Sequence, residues 1–232
     1  MNENHKILAF DTSSNRGSVA LLQGASLCAE LRSNTDAGHS ALLLDAVYFL
    51  LGRAGWRLKD LTLVAVGSGP GSFTGIRIGV ATGLGLAQSL GIPFVGVSGL
   101  DVLAHRAVDE RADRAGRICV LLDARRNQFY FAEYEREKGK LRRIGKPALL
   151  DAADVKNHTK DAHWITGDLN EEQEHAIKES FPRRAHWVPV DLFLAEGIGR
   201  LGHKRKRYWR YGDFLTAEPL YIRPPDAVKN KR

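Results

Sequence analysis

The residues most suited to chemistry lie in a turn near the start of the chain. Asp11-Thr12-Ser13-Ser14 follows a short apolar strand and precedes a second strand that begins at Gly17. A carboxylate beside small hydroxyl side chains can hold a phosphate and its hydrated metal, but Asp-Thr-Ser is also a common turn sequence. Asp11, Thr12 and Ser13 are therefore candidate phosphate ligands, with a purely structural turn as the alternative.

Two glycine-rich segments resemble nucleotide-binding motifs. Gly67 to Gly75 (GSGPGSFTG) runs from an apolar strand into a helix, where free amide groups favour anions. It lacks the Gly-Lys-Ser/Thr of a Walker loop, so we interpret it as a structural turn. Gly197 to Gly202 reads GxGxxG, but no strand precedes it and the stretch from Asp191 reads as a helix. We therefore exclude a dinucleotide site there.

Other reactive side chains form no motif. The eight histidines include no HxxxH or HExxH pair, and no serine lies in a GxSxG elbow. Cys28 and Cys119 lie singly in apolar segments, which predicts buried, reduced thiols rather than a disulfide or a zinc site. Nothing local indicates hydrolysis or a metal centre.

The periodicity of apolar residues predicts the elements that position these segments. Three short strands cover residues 6–12, 17–23 and 26–32, helices cover His39 to Ala54 and Phe73 to Leu90, and buried strands alternate with them. From Ile118 a second three-strand meander begins and partly repeats the first. The order predicts an α/β chain of two lobes, residues 1–110 and 111–232, each a mixed sheet with helices.

The predicted helix from Phe73 to Leu90 is rich in glycine. Gly75, Gly79 and Gly83 recur every four residues, and each interior glycine costs about 1 kcal/mol relative to alanine. Glycines on one face let another backbone approach closely, so we expect tight packing there. Arg77 is the only charged residue between Leu61 and Leu100. It either has a fixed partner or lies at a surface that another protein covers.

The positive charge of the chain is concentrated near its end. The chain has 34 basic and 27 acidic side chains, a net charge of +7, and the residues from Arg200 onward carry ten basic and three acidic groups. This stretch interleaves basic residues with tyrosine and tryptophan, a mixture that can neutralise phosphates and stack on bases. The candidate nucleic-acid contacts are Lys204, Arg205, Lys206 and Arg207. The alternative is a solvated helix end.

No signal peptide and no run of about 18 apolar residues is present, which predicts a cytoplasmic chain that does not contact a membrane.

Longer segments resemble a known family. The segments ILAFDTSSNRGSVALL, GHSALLL and above all GPGSFTGIRIG are similar to those of the TsaB (YeaZ) family of tRNA threonylcarbamoyladenosine biosynthesis proteins. The resemblance covers about the first 135 residues strongly and the rest thinly. It implies a two-lobed actin-like ATPase (ASKHA) fold. It also implies a heterodimer with the transferase TsaD and a bridging role toward the ATPase TsaE.

The resemblance also implies that this chain is not itself an enzyme. In TsaD a helix start carries two histidines four residues apart that bind a metal. Gly99 and Leu103 occupy the matching positions here, and neither can bind a metal. We therefore expect a subunit that scaffolds and activates TsaD, with no catalytic residue, no metal and no intrinsic cofactor. A nucleotide would bind only at the interface with partners, and tRNA would bind through the complex.

The same resemblance implies a partner surface on two helices. The helix from His39 to Ala54 is apolar around most of its circumference, more than one core stripe requires. We expect this helix and the glycine-rich one to bind TsaD, or a second copy when the chain is alone. The predicted interface residues are Leu43, Val47, Leu50, Ile76, Gly79, Val80 and Gly83. The alternative is that these are core residues.

A second function remains open from the sequence. The Asp11-Thr12-Ser13 turn also suits a stand-alone actin-like ATPase or small-molecule kinase, and the basic segment alone would suit a nucleic-acid-binding module. Magnesium-dependent ATP turnover by the isolated chain would favour the kinase.

Overall fold

A computed structural model describes residues 4–34, 42–110, 115–205 and 222. The described chain divides into two compact units. The first contains the residues up to Val102 together with a helix that begins at Ala195, and the second runs from Leu103 to Leu192.

Within the described residues, ten strands form two five-stranded sheets. The strands are β1 (Lys6–Asp11), β2 (Arg16–Gln23), β3 (Ser26–Asn34), β4 (Leu63–Gly67), β5 (Phe94–Val97), β6 (Gly116–Asp123), β7 (Gln128–Glu137), β8 (Lys140–Asp151), β9 (Trp164–Asp168) and β10 (His186–Trp187). The described residues also form six α-helices. These are α1 (Leu43–Ala54), α2 (Phe73–Leu90), α3 (Gly99–Asp109), α4 (Ala152–Thr159), α5 (Glu171–Lys178) and α6 (Ala195–Lys204).

The two sheets share one topology. The first has the order β3-β2-β1-β4-β5, with β1 to β3 an antiparallel meander and β4 and β5 parallel to β1. The second has the order β8-β7-β6-β9-β10, again an antiparallel meander followed by two parallel strands. The predicted repeat and the two mixed sheets are confirmed.

Helices cover both faces of the first sheet. Leu8, Phe10 and Val64 point to one face, where they form a core with residues of α1 and α2. Ala9, Leu22 and Ala65 alternate with them along the strands and pack against glycines of α6. The sequence placed the residues of α6 in the second lobe, whereas in the structure they complete the first unit. The GxGxxG segment is part of this helix, and its glycines allow the close packing.

The two cysteines lie in different environments. Cys119 lies in the core of the second unit, where burial raises the pKa of its thiol. Cys28 is exposed on β3, the edge strand of the first sheet, contrary to the prediction that both thiols are buried. Among the described residues, no helix is long and apolar enough to cross a membrane.

Candidate functional site

The turn after β1 is buried and its polar groups bind one another. Asp11, Thr12 and Ser13 are each at most 5% exposed. The Ser13 hydroxyl donates to Asp11 Oδ2 at 3.0 Å, and the Thr12 hydroxyl donates to the Gly75 carbonyl oxygen at 2.8 Å. These candidate phosphate ligands therefore hold the turn together and attach it to α2.

The glycines of α2 and its preceding loop make this contact possible. A Cβ atom on Gly75 would overlap the Thr12 carbonyl oxygen, and one on Gly79 would overlap the Thr12 side chain. In the loop, Gly71 lies equally close to Ser13, whose carbonyl oxygen accepts a hydrogen bond from Ser72 at 2.7 Å. The expected close backbone approach is confirmed. It involves the turn that the sequence identified as a phosphate candidate.

Gly99 and Leu103, the positions that the resemblance compares with metal ligands of the transferase, are used for packing. Leu103 is 1% exposed, and the Gly99 amide donates to the Gly69 carbonyl oxygen at 2.9 Å. A Cβ atom on Gly99 would lie 3.1 Å from Leu194 Cδ1, so there is little room for a larger side chain. Within the described residues, no group of three or more histidine, cysteine, aspartate or glutamate side chains could hold a metal ion.

The residues predicted for the partner interface lie on the inner faces of α1 and α2, away from solvent. All of them are buried in the first unit: Leu43, Val47, Leu50, Ile76, Gly79, Val80 and Gly83. They pack against the chain's own sheet, where a partner would not reach them. The interface prediction was wrong for these residues because they form the buried stripe of each helix. The buried stripe of α1 has helical spacing, so any apolar residue outside it must face outward.

That outward face of α1 carries large apolar and aromatic side chains beside the exposed carboxylate of Asp45. Tyr48 and Phe49 are 57% and 58% exposed, and Leu42 and Leu44 are 60% and 44% exposed. These four residues, which we call the α1 patch, are most of the large exposed hydrophobic residues among the described ones, with Leu27 on β3 the other. Their off-stripe positions in the helical periodicity are the sequence signal that identifies them.

The exposed face of α2 differs in chemistry from the α1 patch. Its residues are small or polar, including Ala81, Gly85 and Gln88, with Arg77 as the one charge on the helix. The Arg77 guanidinium carbon lies 3.8 Å above the centre of the Phe73 ring. Arg77 therefore has a fixed intramolecular contact, as the first of the two alternatives expects, and its side chain is exposed.

Only part of the predicted nucleic-acid segment lies within the described residues. Lys204 is exposed at the end of α6, whereas Arg205 donates to Asp101 Oδ2 at 2.6 Å and is half-buried. Lys206 and Arg207 lie outside the described residues. Arg205 therefore ties α6 to α3 through an ion pair within the first unit.

Comparisons with known proteins agree with the fold. The model of the family described as "TsaD: tRNA N6-adenosine threonylcarbamoyltransferase" matches residues 33–193. Among solved structures, "YeaZ from Pseudomonas aeruginosa" is 30% identical and superposes with a TM-score of 0.75. The superposition covers 94% of this chain and 99% of that one.

Curated relatives match over a shorter region. The "tRNA threonylcarbamoyladenosine biosynthesis protein TsaB" of Escherichia coli (strain K12) is 38% identical over 57% of this chain and 56% of its own length. The protein of the same name in Bacillus subtilis (strain 168) is 39% identical over 60% of this chain and 58% of its own length. The chain therefore spans little more than half the length of these two relatives. Together, the fold, the matched motifs and these similarities show that the chain belongs to the TsaB (YeaZ) family.

Proposed function

We propose that this chain is a cytoplasmic, non-catalytic subunit of the machinery that makes threonylcarbamoyladenosine in tRNA. It holds and activates a TsaD-like transferase, bridges to a TsaE-like ATPase, and meets tRNA within that complex. The observation that carries the proposal is the α1 patch. Helix α1 already buries a full stripe in its own core, yet together with its N-cap residue Leu42 it presents four large apolar side chains to solvent.

The pathway is supported by the names of the relatives. Two proteins 38% and 39% identical are named for threonylcarbamoyladenosine biosynthesis, and the matching family model is named for the transferase itself. The transferase name does not require that this chain catalyses the transfer. Gly99 and Leu103, which fall within the matched region, are packed into the fold and carry no metal-binding atom in their side chains.

The α1 patch suits a protein partner. Exposed apolar clusters on a folded chain mark interaction surfaces, and aromatic residues at the centre of such surfaces contribute most to affinity. Tyr48 and Phe49 supply two aromatic side chains, and the small residues Ala81 and Gly85 of α2 would let a partner helix approach closely. A second copy of the chain would use the same face, so homodimer and heterodimer would exclude each other.

Co-purification with the TsaD-like paralogue tests this proposal. We expect Phe49→Glu to weaken the complex by about thirtyfold or more, since it places a charge at the centre of an apolar contact. The matched control is Leu27→Glu, which changes another exposed leucine on β3 and should leave the affinity unaltered. Both variants should fold, because both side chains are exposed. A folded Phe49→Glu variant that binds with wild-type affinity would contradict the proposed surface.

A further inference from the structure

The turn between β6 and β7 has an unusual backbone. Arg125, Arg126 and Asn127 have φ angles of 59°, 57° and 56°, three consecutive residues in the left-handed region. Side chains with a Cβ atom are disfavoured there, and only glycine and, less often, asparagine or aspartate adopt it routinely. Asn127 is thus an expected residue at its position, whereas the two arginines are not.

Elsewhere this chain uses glycine where φ is positive. Among the described residues, nine glycines have positive φ, and Lys138 is the only residue of another type outside this turn with φ in this region. Lys138 lies in the turn between β7 and β8, where the residue that follows it is Gly139, as hairpin turns prefer. The sequence therefore keeps two arginines at positions where glycine would fold more readily, which indicates a use for their side chains.

A network of hydrogen bonds holds the strained turn in place. The Arg125 amide donates to Asp123 Oδ1 at 2.7 Å, and the same oxygen accepts a hydrogen bond from Gln173 Nε2 at 2.7 Å. On the other side, the Ala152 amide donates to the Asn127 carbonyl oxygen at 3.2 Å. Gln173 belongs to the capping box of α5, and Ala152 begins α4. Two helix starts thus fix the backbone of the turn.

The side chains of this fixed turn face solvent. Arg125, Arg126 and Asn127 are all exposed. Within the described part of the chain, the Arg125 guanidinium has no ion-pair or hydrogen-bond partner. A guanidinium on a preorganised backbone loses little freedom when it binds, and its planar fork matches the oxygens of a phosphate group.

We propose that the β6–β7 turn is a phosphate-binding site, with Arg125 as its main ligand. Two sources of phosphate share this chemistry, the backbone of an RNA and a free nucleotide. The exposure of all three residues favours the RNA backbone, since a phosphodiester chain can pass across a protruding turn. The assignment to RNA rests on the proposed function, whereas phosphate binding itself does not.

A pair of glycine substitutions separates side-chain function from backbone strain. Arg125→Gly removes the guanidinium, keeps the amide that donates to Asp123 and relieves the left-handed backbone. Lys138→Gly, the matched control, removes one exposed positive charge and relieves the same strain in the other turn of β7. Both variants of the full chain should therefore unfold at a higher temperature than the wild type.

The binding of an unmodified tRNA transcript to the full chain is then measured at several salt concentrations. We expect Arg125→Gly to weaken binding roughly fivefold and to reduce the slope of log affinity against log salt by about one, as the loss of one phosphate contact predicts. Lys138→Gly should leave both quantities close to wild type. Arg125→Lys, which keeps the charge but not the fork, should fall between them.

A second titration with ATP and inorganic phosphate distinguishes the two sources. Loss of ATP or phosphate binding in Arg125→Gly, with tRNA binding intact, would assign the site to a nucleotide. The proposal would be overturned if Arg125→Gly and Lys138→Gly lost equal amounts of binding affinity. It would also be overturned if the wild-type chain bound neither tRNA nor ATP or phosphate. If Arg125→Gly no longer bound the paralogue but bound tRNA as the wild type does, the turn would be a protein contact and the proposal would also be overturned. Failure of the paralogue to bind the wild-type chain would count against the proposed function and leave this titration unaffected.

Discussion

Two turns in equivalent places of the two sheets have opposite surroundings. The turns after β1 and β6 each begin with an aspartate whose carboxylate accepts the amide hydrogen of the residue two positions later. Ser13 N lies 3.3 Å from Asp11 Oδ1, and Arg125 N lies 2.7 Å from Asp123 Oδ1. Yet Asp11 is 1% exposed, whereas Asp123 and the three residues from Arg125 to Asn127 are exposed.

The difference comes from the helix that packs on each turn. In the first unit, α2 presents glycines to the turn, so backbone meets backbone and the hydroxyl groups are used within the fold. In the second unit, the starts of α4 and α5 bind the turn from its sides and leave its side chains outside. The same local motif therefore becomes a packing element in one unit and an accessible surface in the other.

The largest effect should follow from breaking the glycine contact. A Cβ atom at residue 75 would overlap backbone rather than a movable side chain, so Gly75→Ala should lower the free energy of unfolding by about 3 kcal/mol. Urea unfolding measures this loss. In the control Gly85→Ala the added methyl group meets open space, and the gain in helix propensity should raise stability by about 1 kcal/mol. Equal stabilities of the two variants would contradict the packing role.

A smaller loss is expected from the hydroxyl that joins the turn to α2. Thr12→Val removes the donor to the Gly75 carbonyl oxygen in a buried site and should cost about 1.5 kcal/mol, also measurable by urea unfolding. Thr74→Val changes an exposed threonine in the first turn of the same helix and should remain within about 0.5 kcal/mol of wild type. If Thr12→Val were as stable as the Thr74 variant, the hydrogen bond would add nothing to the fold.

A gain of stability is expected in the second turn. Asn127→Gly relieves one left-handed residue without removing either arginine, and it should raise the free energy of unfolding by about 0.5 kcal/mol. Thermal unfolding measures the gain, and tRNA binding should not change. A loss of stability would mean that the Asn127 side chain holds the turn.

The smallest effect is expected for the labelling rate of Cys119, in the core of the second unit, when Thr12 in the turn after β1 is substituted. Burial raises the pKa of the Cys119 thiol, so almost no thiolate is present in the folded unit near neutral pH, and labelling requires opening. The exposed Cys28 serves as the internal control, with rapid labelling. Thr12→Val should leave the labelling rate of Cys119 unchanged, and a faster rate would show that the damage spreads to the second unit.

Much of this architecture could be predicted from the sequence, because local signals agree with the tertiary contacts. The span of α2 was predicted from Phe73 to Leu90 and is observed there, since Ser72 caps its start and Gly91 adopts the left-handed conformation at its end. The repeated meander likewise follows from alternating apolar residues separated by tight turns.

Long-range choices could not be predicted. Because apolar residues surround most of α1, the sequence does not reveal which stripe meets the sheet, and it predicts the buried Leu43 and Leu50 as interface residues where the structure exposes Tyr48 and Phe49. The position of α6 on the first sheet depends on contacts between residues far apart along the chain, such as the hydrogen bond from the Ala195 amide to the Ser18 hydroxyl, which spans 177 residues. The left-handed arginines have no sequence signal, because their type predicts a different backbone.

The most direct test of the central claim is the transfer of threonylcarbamoyl to tRNA in a reconstituted system. We expect none from this chain alone, efficient transfer when the TsaD-like paralogue and the TsaE-like ATPase are added, and a strong loss when Phe49→Glu replaces the wild type. Transfer by the purified chain with the paralogue demonstrably absent would contradict the account.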